Sequence, residues 1–247
     1  MGTIHMTMQG KGGVGKTFVA ALIAQILSDK AEEDALPLKL IDTDPVNCTF
    51  TQYRAWPVEQ LRIQDEGSTR INERHFDALM ENLLTQEADF VIDNGAASFV
   101  PLSNYFIEND AIRMLIDAGH RVCVHAVITG GQGLDDTVNG FIQLAKQLPE
   151  EADLYVWLNP YFGKIEHQGK TFQAMAAYKN HKDRIRAIIE IPAQSSDTFG
   201  ADMRDMLEKK LTFNEAVTSD QFSIMSRQRL SMVRKVVYER LANALAA

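Results

Sequence analysis

Eight consecutive residues, Gly10-Lys11-Gly12-Gly13-Val14-Gly15-Lys16-Thr17, fit the spacing G-x-x-x-x-G-K-[ST]. Glycines at these places let the backbone wrap so that successive N–H groups converge on an anion. A helix starting at the lysine adds its positive end. In that geometry the amides of Gly12, Gly13, Val14 and Gly15 would cradle phosphates. Lys16 would reach the β- and γ-phosphates, and the Thr17 hydroxyl would ligate Mg2+. Phe18, in the first helical turn, would extend the nucleotide site.

Carboxylates follow at the ends of two apolar runs. Leu40-Ile41-Asp42-Thr43-Asp44-Pro45 puts Asp42 at a strand end, and Pro45 stops regular pairing and sends Asp44 into a loop. An Asx-type turn carrying two acids would have the same sequence. Phe90-Val91-Ile92-Asp93 ends a second run on an acid placed to hold Mg2+ through water. A third run, Val156-Trp157-Leu158-Asn159-Pro160, ends on an amide able to pair adenine N6 and N1, although Asn-Pro also starts ordinary turns. No Asn/Thr-Lys-x-Asp string for guanine occurs, which favours ATP over GTP.

Positioning these groups needs parallel strands that end at one edge. Short apolar runs predict strands at Ile4–Met8, Leu38–Ile41, Phe90–Ile92, Val122–Ile128, Leu154–Leu158 and Ile185–Ile191. Helical patterns lie near Lys16–Asp29, Phe76–Leu84, Leu134–Leu148 and Lys170–His181, then Asp197–Lys209, Phe213–Val217 and Ser223–Leu245. The alternation predicts an α/β fold, a doubly wound, mostly parallel sheet with a helical C-terminal tail. With no repeat or linker, one domain over 1–247 is expected.

The string Lys11 to Thr17 resembles the deviant Walker A motif of the ParA/MinD ATPases. That resemblance implies an ATP-dependent homodimer in which Lys11 reaches the partner's phosphates. It also implies that Asp42 sits near the Mg2+ waters, Asp44 orients the attacking water and Asp93 is the Walker B acid. Ile191-Pro192 resembles the family's other base-side segment. Asn94-Gly95-Ala96-Ala97-Ser98 departs from the proline-containing switch II usual there. Further segments narrow the resemblance: Ile41 to Asn47, Val91 to Ala96, Val127 to Gln132, Trp157 to Tyr161 and Ser226 to Leu230 look like the TraL family. That ParA-like group is carried in transfer regions of conjugative plasmids. The likeness spans nearly the whole chain and leaves the task open between transfer, maintenance and positioning.

Composition excludes several classes. The chain has 247 residues, 45% of them apolar, enough for one substantial core. A net charge of −8 argues against a dedicated nucleic-acid coat. Two cysteines exclude a disulfide framework and a four-cysteine zinc site. Cys48 and Cys123 do not match the cluster ligands of the nitrogenase iron protein, which shares the loop, and are read as packing residues. The histidines show no H-x-x-x-H pair, and His120 and His125 bracket a strand. The longest apolar run, Phe18 to Leu27, is too short for the ~20 residues that span a bilayer. The first residues lack a basic n-region, so a cytoplasmic protein is expected.

From Ser223 onward Arg227, Arg229, Arg234, Lys235 and Arg240 face one acid, Glu239, so this segment carries +4. Leu230, Val233, Val237, Leu241 and Ala244 make one apolar stripe between them. Three readings stand: a helix docked on the domain, a non-specific DNA contact, or an amphipathic membrane contact. For function the leading expectation is a Mg-ATP-dependent dimerisation switch that hydrolyses slowly, with a relaxosome or other transfer or partition protein as partner. A metabolic ligase of the cobyric-acid or dethiobiotin synthase type and a scarcely hydrolysing adaptor of a transfer complex are the alternatives.

Overall fold

The computed structural model describes residues 1–29, 35–193, 195 and 197–246. Strands β1 (Thr3–Thr7), β2 (Leu38–Asp42), β3 (Val58–Gln60), β4 (Asp89–Asp93), β5 (Arg121–Thr129), β6 (Asp153–Asn159) and β9 (Ile185–Glu190) form one sheet. Its order is β3-β2-β4-β1-β5-β6-β9, and every pairing is parallel. From β1 the chain goes outward to β2 and the edge strand β3, returns to β4 between β2 and β1, then runs the other way through β5, β6 and β9. The crevice at the carboxyl end of β1 therefore lies where open α/β sheets take ligands.

Alternate residues of the strands feed two cores. Ile4, Met6, Val124, Ala126, Val156 and Leu158 point to one side, under helices α2 (His75–Thr85), α3 (Phe99–Glu108), α4 (Ala111–Asp117) and α5 (Leu134–Gln147). Cys123, Val127, Tyr155 and Trp157 point to the other side, under α1 (Lys16–Asp29), α7 (Phe199–Glu208), α8 (Phe213–Thr218) and α9 (Ile224–Ala246). Helix α1 is sandwiched between the sheet and α9, which is why Val19 to Ile26 is buried without interruption.

Several expectations change. The stretch 170–181 is not one helix. A hairpin of β7 (Glu166–His167) and β8 (Lys170–Thr171) gives way to a turn and the short α6 (Ala176–His181). Its apolar residues have helical spacing, but Phe172 instead tucks against Phe141, ring centroids 5.5 Å apart. Helices α3 and α4 were not expected from the sequence: they are short, Pro101 lies inside the first, and Asp110 turns left-handed between them. Strand β3 has only three residues, two of them exposed. His125 does not bracket a strand but sits in the middle of β5, fully buried. Cys123 packs in the core as expected, whereas Cys48 is half-buried in the loop after β2, its thiol on the Asp44 carbonyl.

The tail docks. Leu230, Val233, Val237, Leu241 and Ala244 are all buried, so the stripe faces the domain. Each basic residue has a partner within the chain: Arg227 with Asp220, Arg229 with Asp202, Arg234 with Asn214, Lys235 with Glu239, and Arg240 with the Glu190 carbonyl. No helix of the described residues is long and apolar enough to cross a membrane.

Candidate functional site

Residues 10–15 form an irregular loop between β1 and α1. Gly13 and Gly15 take left-handed φ values of 73° and 103°, which side chains disfavour. Gly15 carries a second constraint, because a Cβ there would stand 2.7 Å from the Asn159 amide nitrogen. Lys16 folds back over the loop, its Nζ donating to the Lys11 carbonyl at 3.1 Å, and is 7% exposed. Burial lowers its pKa, with Asp93 and Asp44 pulling the other way.

Asp93 closes the far side. Thr17 donates its hydroxyl to one carboxylate oxygen at 2.6 Å and Thr7 donates to the other at 2.9 Å. Complete burial pushes the Asp93 pKa up to about 7, against the pull of these hydroxyls. Thr17 and Asp93 thus share one hydrogen bond at the point where a magnesium ligand and its water-bridging acid are expected. Among the described residues no cluster of three or more His, Cys, Asp or Glu side chains could hold a metal by itself.

The two acids after β2 are built differently from each other. Asp42 is fully buried, and its oxygens accept the backbone N–H groups of Asp44, Phe50 and Thr51 at 2.9–3.1 Å. It holds the loop from inside, and its oxygens are already engaged there. Asp44 is partly exposed, caps the turn by accepting from Val46 and Asn47, and lines the cleft. The Asx turn and the placement at the cleft are therefore both present.

The cleft has a volume of about 550 Å3 and is walled by Gly12, Gly13, Gly15, Lys16, Thr17, Asp44 and Asn94, with Val46 and Ala97 at its rim. A second pocket of about 410 Å3 continues from Gly13 and Gly15 over Phe18, Asn159, Pro160, Ile191 and Pro192 to Met203 and Leu207 of α7. It is mainly apolar, and Tyr161 and Phe162 stand exposed at its edge. The Asn159 amide donates to the Val14 carbonyl at 2.9 Å and its oxygen accepts from Tyr161. In this state Asn159 ties the phosphate loop to β6 and does not present its amide to a base. Lys11 is about half exposed and lies 2.9 Å from Asp136 in the first turn of α5.

The sequence reading missed Thr7 and Asn94. Asn94 is buried, its amide donating to the Thr7 carbonyl at 3.0 Å while its oxygen accepts from the Thr43 hydroxyl at 2.8 Å. It clips the ends of β1, β2 and β4 together. Thr7 had one visible signal, a polar residue between apolar neighbours just before the loop. A further buried polar network lies within the sheet: Trp157 donates to His125 Nδ1, which leaves His125 Nε2 to donate to His5 Nδ1 at 2.9 Å. Burial holds His5 down to about 3 and His125 well below its ordinary value, so this pair is a neutral core network.

No protein-family model matches the chain. Two TraL proteins of Escherichia coli are each 51% identical to it, over 241 and 244 residues. These matches cover 98% and 99% of this chain and the same shares of the relatives. Among solved structures, a chain of the MinC:MinD cell division complex of Aquifex aeolicus superposes with a TM-score of 0.52 at 14% identity, covering 98% of this chain and 96% of that one. The MinD cell division protein of the same organism gives 0.50 at 15%, covering 98% and 97%. At such identities the likeness is one of fold. Identity of one residue in two from end to end carries more, and it makes this chain a member of the TraL family, built on a MinD-like P-loop fold.

Proposed function

We propose that this chain is a Mg-ATP-dependent dimerisation switch with slow ATP hydrolysis, serving conjugative transfer or stable maintenance of a plasmid from the cytoplasm. One observation carries the nucleotide reading: the cleft that holds Lys16, Thr17, Asp44 and Asn94 and the more apolar pocket beside it share Gly13 and Gly15. A phosphate tail and a flat base would thus have adjoining places of suitable polarity.

The residues present fit the group. Loop amides from Gly12 to Gly15 and the buried Lys16 suit phosphate. Thr17 and Asp93 suit Mg2+, and Phe18, Asn159 and Pro160 border the base side. What bound Mg-ATP supplies is the phosphoanhydride bond and the metal's charge on the β- and γ-oxygens. The protein's own part is positional. Lys16 neutralises charge in a desolvated place, where electrostatics count most. Asp44 is the acid at the cleft mouth suited to orienting water. Asp42 acts one step removed, by holding the loop that carries Asp44.

Lys11 would serve a second copy of the chain. Its pairing with Asp136 is exposed, and exposed ion pairs contribute only ~0–1 kcal/mol, so release is easy. The basic residues of α9 remain the candidates for DNA, yet all are engaged within the chain. A membrane role would require undocking the buried stripe, which is less favourable still. A relaxosome or partition protein is the partner expected of the dimer.

A second reading, a scarcely hydrolysing adaptor, draws on Asn94: with both neighbouring strands clipped by it, the loop after Asp93 has little room to move. Calorimetric titration with Mg-ATP, Mg-GTP and ATP plus chelator separates these possibilities. The switch requires Mg2+-dependent ATP binding and slow phosphate release. A complex that lasts for hours without release, DNA present, selects the adaptor. No binding at millimolar ATP overturns both.

A further inference from the structure

Gln9 stands between β1 and the first loop glycine, and it is 1% exposed. Its amide is fully engaged. The oxygen accepts the Gly10 N–H at 2.9 Å, and the nitrogen donates at 3.0 Å to the Val127 carbonyl of β5 and at 3.0 Å to the Thr137 carbonyl of α5. The Gly10 N–H is thereby turned into the protein, and the cleft walls begin at Gly12.

Helix α5 is shaped to receive this side chain. Gly140 lies in mid-helix, where glycine is disfavoured relative to alanine. A Cβ at that position would collide with the Gln9 side-chain oxygen and carbon. The same turns of α5 are fastened again: Thr137 accepts the Thr129 N–H, and Asp136 holds Lys11 from the solvent side. Two separate links therefore run from the loop to the first half of one helix, one buried and one exposed.

We propose that Gln9 is a positioning residue of the phosphate loop, which it fixes by its first amide and couples to the first half of α5 through the space left by Gly140. Loop and helix then loosen together. The effect on ATP affinity rests on the nucleotide reading above; the coupling itself belongs to the nucleotide-free chain.

Gln9→Met keeps the length and removes all three bonds, whereas Gly140→Ala keeps the bonds' partners and presses on the oxygen. Hydrogen exchange of the nucleotide-free full chain should rise in both variants over residues 9–15 and 131–140 together, by roughly tenfold as for one lost hydrogen bond. Residues 153–159 and 185–190 should keep wild-type exchange. Mg-ATP affinity should fall about as far. In a Gln9→Ala background the cavity is open, so Gly140→Ala should cause no further rise in exchange, and the better helix former should lower it slightly over α5. Exchange that rises evenly along the chain, or a Gly140→Ala effect that adds in full to Gln9→Ala, makes Gln9 an ordinary core side chain and ends the proposal. Should Gln9→Met not fold, Gly140→Ala and the double variant decide. A wild-type chain that binds no Mg-ATP removes the nucleotide reading and leaves the exchange result to judge Gln9.

Discussion

The two halves of the sheet edge are built on opposite principles. On the phosphate side, β1, β2 and β4 end in Thr7, Asp42 and Asp93, all buried; Asp42 accepts from backbone N–H groups, and Asp93 accepts from the hydroxyls of Thr17 and Thr7. On the base side, β6 and β9 lead into Asn159, Pro160, Ile191 and Pro192, and α7 adds Met203 and Leu207. Charge is buried on one side, at a cost that those donors and the neighbouring Lys16 offset in part. Apolar surface is left open on the other. On the proposed reading, the phosphate side would decide whether a nucleotide binds, and the base side would adjust which one.

Substitutions on the phosphate side should therefore act hardest. Lys16→Ala should weaken Mg-ATP about 100-fold in calorimetry, as for a charged hydrogen bond worth ~3 kcal/mol. It should leave the nucleotide-free fold at least as stable. Asp93→Asn should abolish the Mg2+ dependence of binding while raising the melting temperature of the free chain. The sign follows from the Asp93 pKa of about 7 against an ordinary 3.8. Between those values the folded chain binds the extra proton, so this contribution to stability is whole below the lower value and is lost as pH rises through about 7. The gain from Asn should be smaller at pH 5 and grow towards pH 8, to about 2–8 °C for ~1–2 kcal/mol.

Asn159→Ala tests the joint between the halves. Losing its bond to Val14 should weaken ATP about tenfold through the loop, the worth of ~1 kcal/mol or slightly more. If ATP and GTP weaken equally, Asn159 is a tether; selective loss of ATP would make it a base reader. The smallest change belongs to the base wall. Leu207→Ala should shift affinity by only about threefold, since the residue is partly exposed and the apolar area it could cover on a ligand is worth under ~1 kcal/mol.

The same division governs what the sequence made legible. The phosphate loop, Asp93 and the carboxylates after β2 occupy short contiguous stretches, because backbone geometry demands certain residue types at fixed spacing. The base pocket draws on four separated segments; the sequence singles out Phe18, Asn159-Pro160 and Ile191-Pro192, whereas nothing local distinguishes Met203 and Leu207 of α7 from core. Six of the seven sheet strands have apolar runs long enough to see; β3, with Glu59 and Gln60 exposed, has none. Gln9 and Gly140 lie 131 positions apart, so a buried glutamine and a mid-helix glycine explain each other only once folded. In α9 the stripe was visible, but its covering by α1, α7 and α8 was a tertiary fact.

On the proposed reading, bound ATP changes the chain from one copy to two. Light scattering of Asp44→Ala, which slows turnover on this account, measures it directly with Mg-ADP and with Mg-ATP. The account predicts 27.7 kDa with Mg-ADP and twice that mass with Mg-ATP, and Lys11→Ala should stay single in both. A mass that does not respond to ATP, or dimers that persist unchanged in Lys11→Ala, would contradict the switch and the role of Lys11 in it.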